Sequence, residues 1–302
     1  MKILNLDPDF QIPAADSIGF ETFTFHGGEP HLKLHLPPVS FYTEEEVLIV
    51  QRICRSDDFM LLLLATDALR RTGYRRLSVL LPYFPAARQD RPMTPGEPLS
   101  AKVYSQIINA QRYERVWTFD PHSDVVPALL DNVEVISNEN FVKKVIQKID
   151  SQSLMLIAPD AGAAKKLRKL AAHLGNLDLV LCEKQRNVQN GHLTGFQVFS
   201  NNLEGRDCLI VDDICDGGAT FTGIAKALKA KNAGRVFLAV SHGIFSGGFE
   251  KFEGLLDGIL TTDSFKNVEN EGVVQVLLAT VSPEIFRPHH YSSFQNLKSL
   301  VV

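Results

Sequence analysis

An apolar run at Cys208 to Val211 ends in Asp212-Asp213-Ile214-Cys215-Asp216 and then Gly217-Gly218-Ala219-Thr220, and a helical stretch from Thr222 to Lys231 follows. A short buried strand, an acidic turn and a helix form the repeating unit of an open α/β sheet, which binds ligands at the carboxyl ends of its strands. Small residues let backbone N–H groups approach an anion, and Thr220 stands where a helix N-terminus adds partial positive charge and a hydroxyl. Asp212 and Asp213 repel a phosphate, so their useful partners are sugar hydroxyls or a Mg²⁺ ion. The stretch reads as a cradle for a phosphorylated sugar. Taken alone it reads equally as an acidic turn with a glycine cap, and the rest of the chain has to decide.

The same alternation runs through the whole chain. Strands are expected at Lys2 to Leu6, Glu21 to Phe25, Leu32 to Leu36, Val47 to Ile53, Leu77 to Leu81, Val116 to Phe119 and Val133 to Ile136. Helices are expected from Phe59 to Arg71, with Asp57 and Asp58 before it and Gly73 after it, and from Ser100 to Ala110. The pattern then restarts, with strands near Leu154 to Ala158, Leu179 to Cys182, Phe196 to Phe199, Cys208 to Val211, Val236 to Val240, Gly258 to Thr261 and Val273 to Leu278. A chain of 302 residues exceeds the usual size of a single core. Two α/β units are therefore expected, meeting around Asn138 to Ser151.

No apolar stretch approaches the roughly 20 residues of a membrane helix; the longest, Phe59 to Ala65, is far too short. The N-terminus has strand-like alternation and no small-residue cleavage site, so a cytoplasmic protein is expected. Cys54, Cys182, Cys208 and Cys215 lack metal-ligand or redox spacing and read as small buried or loop side chains. A net charge of −4 gives no general reason to bind nucleic acid. Small phosphorylated substrates held by local clusters fit better. Phe245, Phe249 and Phe252 read as core at near-helical spacing, and His289-His290 as an exposed pair near the chain end with no assigned role.

Leu81-Pro82-Tyr83-Phe84-Pro85-Ala86-Ala87-Arg88-Gln89-Asp90-Arg91 follows a buried strand with aromatics, two guanidinium groups, an amide and an acid. Arginine forks match phosphate oxygens and stack on rings, and Gln89 is suited to a base edge. Alone, this too reads as a proline-rich turn. With the acidic loop, it resembles the ribose-phosphate pyrophosphokinase family. Further likenesses follow in family order. Phe25-His26-Gly27-Gly28-Glu29 is similar to the F-x-D-G-E nucleotide segment, Pro98-Leu99-Ser100-Ala101-Lys102 to P-[IL]-S-A-K, and Asp120-Pro121-His122-Ser123 to D-L-H-S. Pro159-Asp160-Ala161-Gly162 is similar to P-D-x-G, and Glu183-Lys184-Gln185-Arg186 to the D-K-R-R entry of the catalytic loop.

The resemblance implies two tandem phosphoribosyltransferase-like, Rossmann-like domains, each a mainly parallel sheet flanked by helices. They would cover residues 1–140, which bind ATP, and 141–282, which bind ribose 5-phosphate, with 283–302 packing back onto the first. The implied reaction moves the β,γ-diphosphoryl group of MgATP to the C1 hydroxyl of ribose 5-phosphate, giving phosphoribosyl diphosphate and AMP. The catalytic residues would be Lys184, Arg186 and His122, Lys184 and Arg186 supplying cations to the transferring group, since two residues apart on an extended segment they point to one side. ATP would be held by Phe25, Glu29, Arg88, Gln89, Asp90, Arg91 and His122, and metal by His122 and Asp160. The sugar phosphate would lie on Asp212, Asp213, Asp216, Gly217, Gly218, Ala219 and Thr220. Homo-oligomers, dimeric or hexameric, are implied because Phe25 to Glu29 reach a neighbour's ATP site.

Some positions depart from the family pattern. Gly27 stands where the nucleotide segment has an acid, Gly217 replaces a Thr, Ala219 a Gly, and Gln185 an Arg. Asp124-Val125-Val126-Pro127 lacks the aromatic-glycine segment of the phosphate-activated enzymes. Two rivals share the fold. A phosphoribosyltransferase would not explain Ala87 to Arg91, and a non-catalytic regulatory subunit would not explain Lys184, Arg186 and His122.

Overall fold

The computed structural model describes residues 1–13, 16–36, 42–186 and 193–287. The first unit comprises β1 (Lys2–Asn5), β2 (Gly19–Thr24), β3 (Pro30–His35), β4 (Val47–Val50), α1 (Ser56–Arg71), β5 (Leu77–Leu81), α2 (Ser100–Ala110), β6 (Val116–Phe119), α3 (Val125–Leu129) and β7 (Val133–Ile136). Helix α4 (Glu139–Ile149) leads into β8 (Leu154–Ala158), α5 (Ala161–His173), β9 (Leu179–Arg186), β10 (Leu193–Val198), β11 (Asp207–Cys215), α6 (Ala219–Ala230), β12 (Val236–Gly243), β13 (Gly258–Thr262), β14 (Val273–Val276) and α7 (Leu278–Val281). Among the described residues these strands form a five-stranded sheet, β1-β4-β5-β6-β7, a seven-stranded sheet, β10-β9-β8-β11-β12-β13-β14, and the ribbon β2-β3. Every pair in the first sheet is parallel. In the second, β10 alone runs against its neighbour.

Central strands read as continuous apolar runs because both faces are covered. All residues of Val47–Val50 and Leu77–Leu81 are buried. Helix α1 buries Phe59, Leu62, Ala65, Thr66 and Leu69 along one stripe. It begins at Ser56, ahead of the expected Phe59, because the Asp58 carboxylate accepts hydrogen bonds from the N–H groups of Cys54 and Arg55 at 2.9 and 2.8 Å. Helix α4 buries Phe141, Val142, Val145 and Ile149.

One hydrophobic cluster runs through both sheets, joining Ile3, Leu48, Leu80 and Phe119 to Leu156, Leu209, Val211 and Ala239. A polar knot reinforces the seam. Ser241 Oγ donates to Asp120 Oδ2, and His242 Nε2 donates to the Asp120 carbonyl at 3.2 Å. His242 Nδ1 lies 2.7 Å from Ser264 Oγ. A carbonyl only accepts, which fixes the Nε2–H tautomer. Burial holds this imidazole below its usual pKa, so it is neutral near pH 7. Nearby, the buried Arg52 spans from Asp7, at 3.1 Å from Nη2, to the Asp263 carbonyl, at 3.0 Å from Nη1.

Several expectations are corrected. Helices α3 and α5 were not expected, and β14 ends at Val276, with Leu277 capping α7 and Leu278 opening it. The core reading holds for Phe245 and Phe252, which are buried in a loop and a short 3₁₀ turn, while Phe249 is half-buried. Cys54 is exposed and the other cysteines are buried. His289, His290 and most of 283–302 lie outside the described residues.

Candidate active site

The site lies where the carboxyl ends of both parallel sheets face each other. Strand β11 extends beyond the expected Val211 to Cys215, because β12 keeps pairing with it at Asp212↔Val240, Ile214↔His242 and Cys215↔Gly243. Asp212 and Asp213 are thus strand residues, held by the sheet, and the turn proper is 216–218. Gly218 caps α6 with φ 82, a left-handed conformation that glycine adopts at no steric cost. A Cβ there would lie 2.5 Å from Phe252 Cζ. The helix starts at Ala219, so Ala219 and Thr220 form its first turn.

Asp216 is fixed from two sides. It accepts from Ser246 Oγ at 2.5 Å and from Arg88 Nη1 at 2.7 Å. These two bonds, the serine's foremost, hold its carboxyl below the usual range. Arg88 belongs to the loop after β5, which buries Tyr83, Phe84 and Ala87 as an anchor and leaves Arg88 and Gln89 exposed. Asp90 is buried and receives both Nε and Nη2 of Arg91, at 2.8 and 3.1 Å. The guanidinium lowers the Asp90 pKa to about 2 and is itself pinned in the cleft mouth.

Asp120, after β6, adopts a left-handed φ of 37 and turns the chain so that His122 faces the second sheet. His122 Nδ1 lies 2.6 Å from Asp213 Oδ2. That bond raises the imidazole pKa, and burial only partly offsets it. Burial works against an ionised Asp213, yet the His122 hydrogen bond and charge outweigh it and hold the carboxyl down. Asp212 goes the other way: burial and then the Asp213 charge push its carboxyl well up. Two adjacent carboxylates cannot both ionise cheaply in a dry site, and a cation would relieve them.

These residues line a cleft of about 560 Å³ together with Asp160, Arg91 and three lysines of α5, Lys165, Lys166 and Lys169. Asp160 caps α5, its Oδ1 accepting from Ala163 N at 2.9 Å. The lysines were missed because 159–162 read as a turn. The signal was present: an Asp cap followed by an alanine- and lysine-rich run is a helix start. Among the described residues no three His, Cys, Asp or Glu side chains converge as a metal cage. Mg²⁺ needs no such cage, since it is commonly held by one or two carboxylates plus substrate phosphate oxygens, and the Asp160, Asp212 and Asp213 carboxylates on one wall suit that mode.

Other expected residues do not line this cleft, among them Arg88, Gln89, Asp216, Gly217, Gly218, Ala219 and Thr220. Phe25 and Glu29 close the tip of the β2–β3 ribbon, Phe25 N donating to the Glu29 carbonyl at 2.9 Å, and neither lines the cleft. Phe25 is 52% exposed and stacks edge-on with Phe23 at 4.9 Å. Lys184 is exposed on β9, in register with Phe196 of β10. Arg186 ends the same strand, and its side chain lies outside the described residues. The buried Cys215 thiol is pushed up to about 12 by burial, which excludes it as a ready thiolate.

Comparison with known proteins agrees with this fold. Residues 24–111 match the model of the N-terminal domain of ribose phosphate pyrophosphokinase, and 128–274 that of the phosphoribosyl transferase domain. The ribose-phosphate pyrophosphokinase of Granulibacter bethesdensis is 31% identical over 255 residues, 80% of this chain and 81% of that one. That of Vibrio cholerae is 32% identical over 252 residues, 80% of each. The crystal structure of phosphoribosylpyrophosphate synthetase from Mycobacterium smegmatis superposes with a TM-score of 0.76 at 22% identity, covering 89% of this chain and 91% of that one.

Proposed function

The chain belongs to the ribose-phosphate pyrophosphokinase family, and from that premise we propose how its residues divide the work. As a member it is an enzyme that transfers the β,γ-diphosphoryl group of ATP to the C1 hydroxyl of ribose 5-phosphate, releasing AMP and phosphoribosyl diphosphate. The observation that carries the assignment of roles is the meeting of the two loops across the seam, His122 on Asp213 at 2.6 Å and Arg88 on Asp216 at 2.7 Å. We assign the nucleotide unit to 1–140 and the sugar-phosphate unit to 141–282, dividing within α4.

In this reading the sugar phosphate lies along the end of β11 and the start of α6. Asp212 and Asp213 accept hydrogen bonds from the ribose hydroxyls, Asp216 orients the ring, and the N–H groups after Gly217 with the Thr220 hydroxyl receive the 5-phosphate. Arg88, Gln89, Asp90 and Arg91 hold the nucleotide on the facing wall, with His122 beside its phosphates. Phe25 and Glu29 serve the nucleotide of a neighbouring subunit, so the active form is a homo-oligomer in the cytoplasm. Asp160 and His122, beside the Asp212 and Asp213 carboxylates, would hold a Mg²⁺ ion, which would supply positive charge to the phosphate oxygens. Lys184 and Arg186 close on the β-phosphoryl group as charge builds on its oxygens. A loose transition state asks for little deprotonation of the C1 hydroxyl, so no residue is assigned as general base.

The test is direct. The purified protein is mixed with MgATP and ribose 5-phosphate and followed by phosphorus NMR. AMP and phosphoribosyl diphosphate should appear together, and AMP should not form without the sugar. Sugar-dependent AMP formation that is absent rejects the kinase reading; consumption of added phosphoribosyl diphosphate with a base would favour a phosphoribosyltransferase.

A further inference from the structure

The loop 216–220, read above as the seat of a 5-phosphate, contains an acid, two glycines, an alanine and a threonine, and no basic residue. A phosphate monoester carries about −1.5 to −2 charges near neutral pH. Backbone N–H groups and the first turn of α6 supply only partial charges, and Asp212, Asp213 and Asp216 stand close by. Gly217 contributes no hydroxyl. A full positive charge beside this loop would complement the ligand, and Arg88 is engaged with Asp216 on the nucleotide side.

Lys251 supplies one from the segment after β12. Its ammonium donates to the Gly217 carbonyl at 2.7 Å, inside the loop. A Lys ammonium has three N–H donors, so two remain for another acceptor. The approach is built by glycines on both sides. At Gly218 a Cβ would lie 3.2 Å from Lys251 Cδ, so the stem crosses the loop where no side chain intervenes. At Gly247 a Cβ would overlap the ammonium itself and lie 2.9 Å from the Gly217 carbonyl oxygen. The adjoining Phe252 is buried and anchors the turn that carries Lys251, while Ser246 of the same segment holds Asp216 at 2.5 Å.

We propose that Lys251 is a further substrate-binding residue, which gives its charge to the 5-phosphate of ribose 5-phosphate and so selects the phosphorylated sugar. The proposal rests on the sugar-phosphate reading of the loop. A charge-assisted contact of this kind corresponds to roughly 10- to 100-fold in affinity.

Two variants separate charge from mere stapling of the loop: Lys251→Met removes both charge and donor, whereas Lys251→Gln keeps an amide donor for the Gly217 carbonyl without the charge. Each is compared with wild type and Lys251→Arg by calorimetric binding of ribose 5-phosphate and of unphosphorylated ribose, and by steady-state kinetics. Both Met and Gln variants should weaken ribose 5-phosphate binding and raise its KM by roughly 10- to 100-fold. The KM for ATP and kcat should stay within about twofold, since the contact is the same in ground and transition states. Ribose binding should be unaffected and Lys251→Arg should recover most of the loss. The inference is overturned if Lys251→Gln binds ribose 5-phosphate like wild type, or if ribose and ribose 5-phosphate weaken equally. A wild-type protein that binds ribose 5-phosphate in a Lys251-dependent way yet forms no AMP would sink the kinase reading and leave the phosphate contact standing.

Discussion

Arg88 Nη1 and Asp216 Oδ2 lie 2.7 Å apart, joining the loop after β5 to the loop after β11 across the seam between the two sheets. Both side chains are more than a third exposed, at 51% and 39%. Such a pair adds at most about 1 kcal/mol to stability, so substrates break it easily. Asp216 freed by a sugar, or Arg88 freed for a triphosphate, favours the other ligand. Arg88→Ala should raise the KM for ATP about 10-fold, the worth of a charge-assisted bond, while shifting the unfolding free energy by less than about 1 kcal/mol. The bond also predicts that ATP binds more tightly with ribose 5-phosphate present. Calorimetry of nucleotide binding with and without the sugar measures this coupling; equal affinities would remove it.

Lys184 stands on an extended strand without a partner role in the resting cleft, as suits a cation recruited during transfer. Lys184→Ala should lower kcat by about 100-fold or more, with ribose 5-phosphate binding retained, because its contact forms chiefly in the transition state. Single-turnover rates and sugar binding isotherms decide. An unchanged turnover number takes Lys184 out of the mechanism.

Gly218→Ala tests the phosphate turn. The left-handed φ of 82 and the 2.5 Å approach to Phe252 Cζ both oppose a methyl group. The change should cost about 1–3 kcal/mol of stability through strain and displaced packing, and should weaken ribose 5-phosphate binding more than ATP binding. A denaturant titration paired with both binding isotherms reads the two effects.

Asp263 is completely buried, its Oδ1 accepting from Leu278 N at 2.7 Å and its Oδ2 lacking a hydrogen-bond partner. Burial pushes its carboxyl up to about 6. The folded chain therefore binds more protons at this position than the unfolded chain between about pH 4 and pH 6, and stability from this group falls as pH rises through that window. The contribution is on the order of 3 kcal/mol. Asp263→Asn should flatten the corresponding slope in chemical denaturation curves recorded from pH 4 to 7.5. A slope equal to that of wild type would assign the pH dependence elsewhere.

Much of this site was legible in the sequence because it sits on strand ends. Apolar runs such as Leu77–Leu81 and Leu154–Ala158 declare buried parallel strands, and the residues just after them are then the ligand-facing loops. Long-range contacts were not legible: nothing local announces that His122 meets Asp213 across the two sheets or that Lys251 reaches Gly217 between neighbouring loops of one sheet, since those pairs are separated by 91 and 34 positions. The reach of β11 past Val211 was also hidden. Asp212 and Asp213 have poor strand propensity, and only the pairing offered by β12 overrides it. Helix α5 was lost to a local cue, Asp160-Ala161-Gly162 being as good a turn as a cap.

The cluster that runs from Phe119 and Leu80 to Leu156 and Ala239, with Asp120 buttoned to Ser241 and His242, ties the two halves together along their seam. Opening such a seam would strand a neutral imidazole and a buried carboxylate in the same stroke. The two halves thus share part of one core, and a chain severed at α4 should not give two independently folded units.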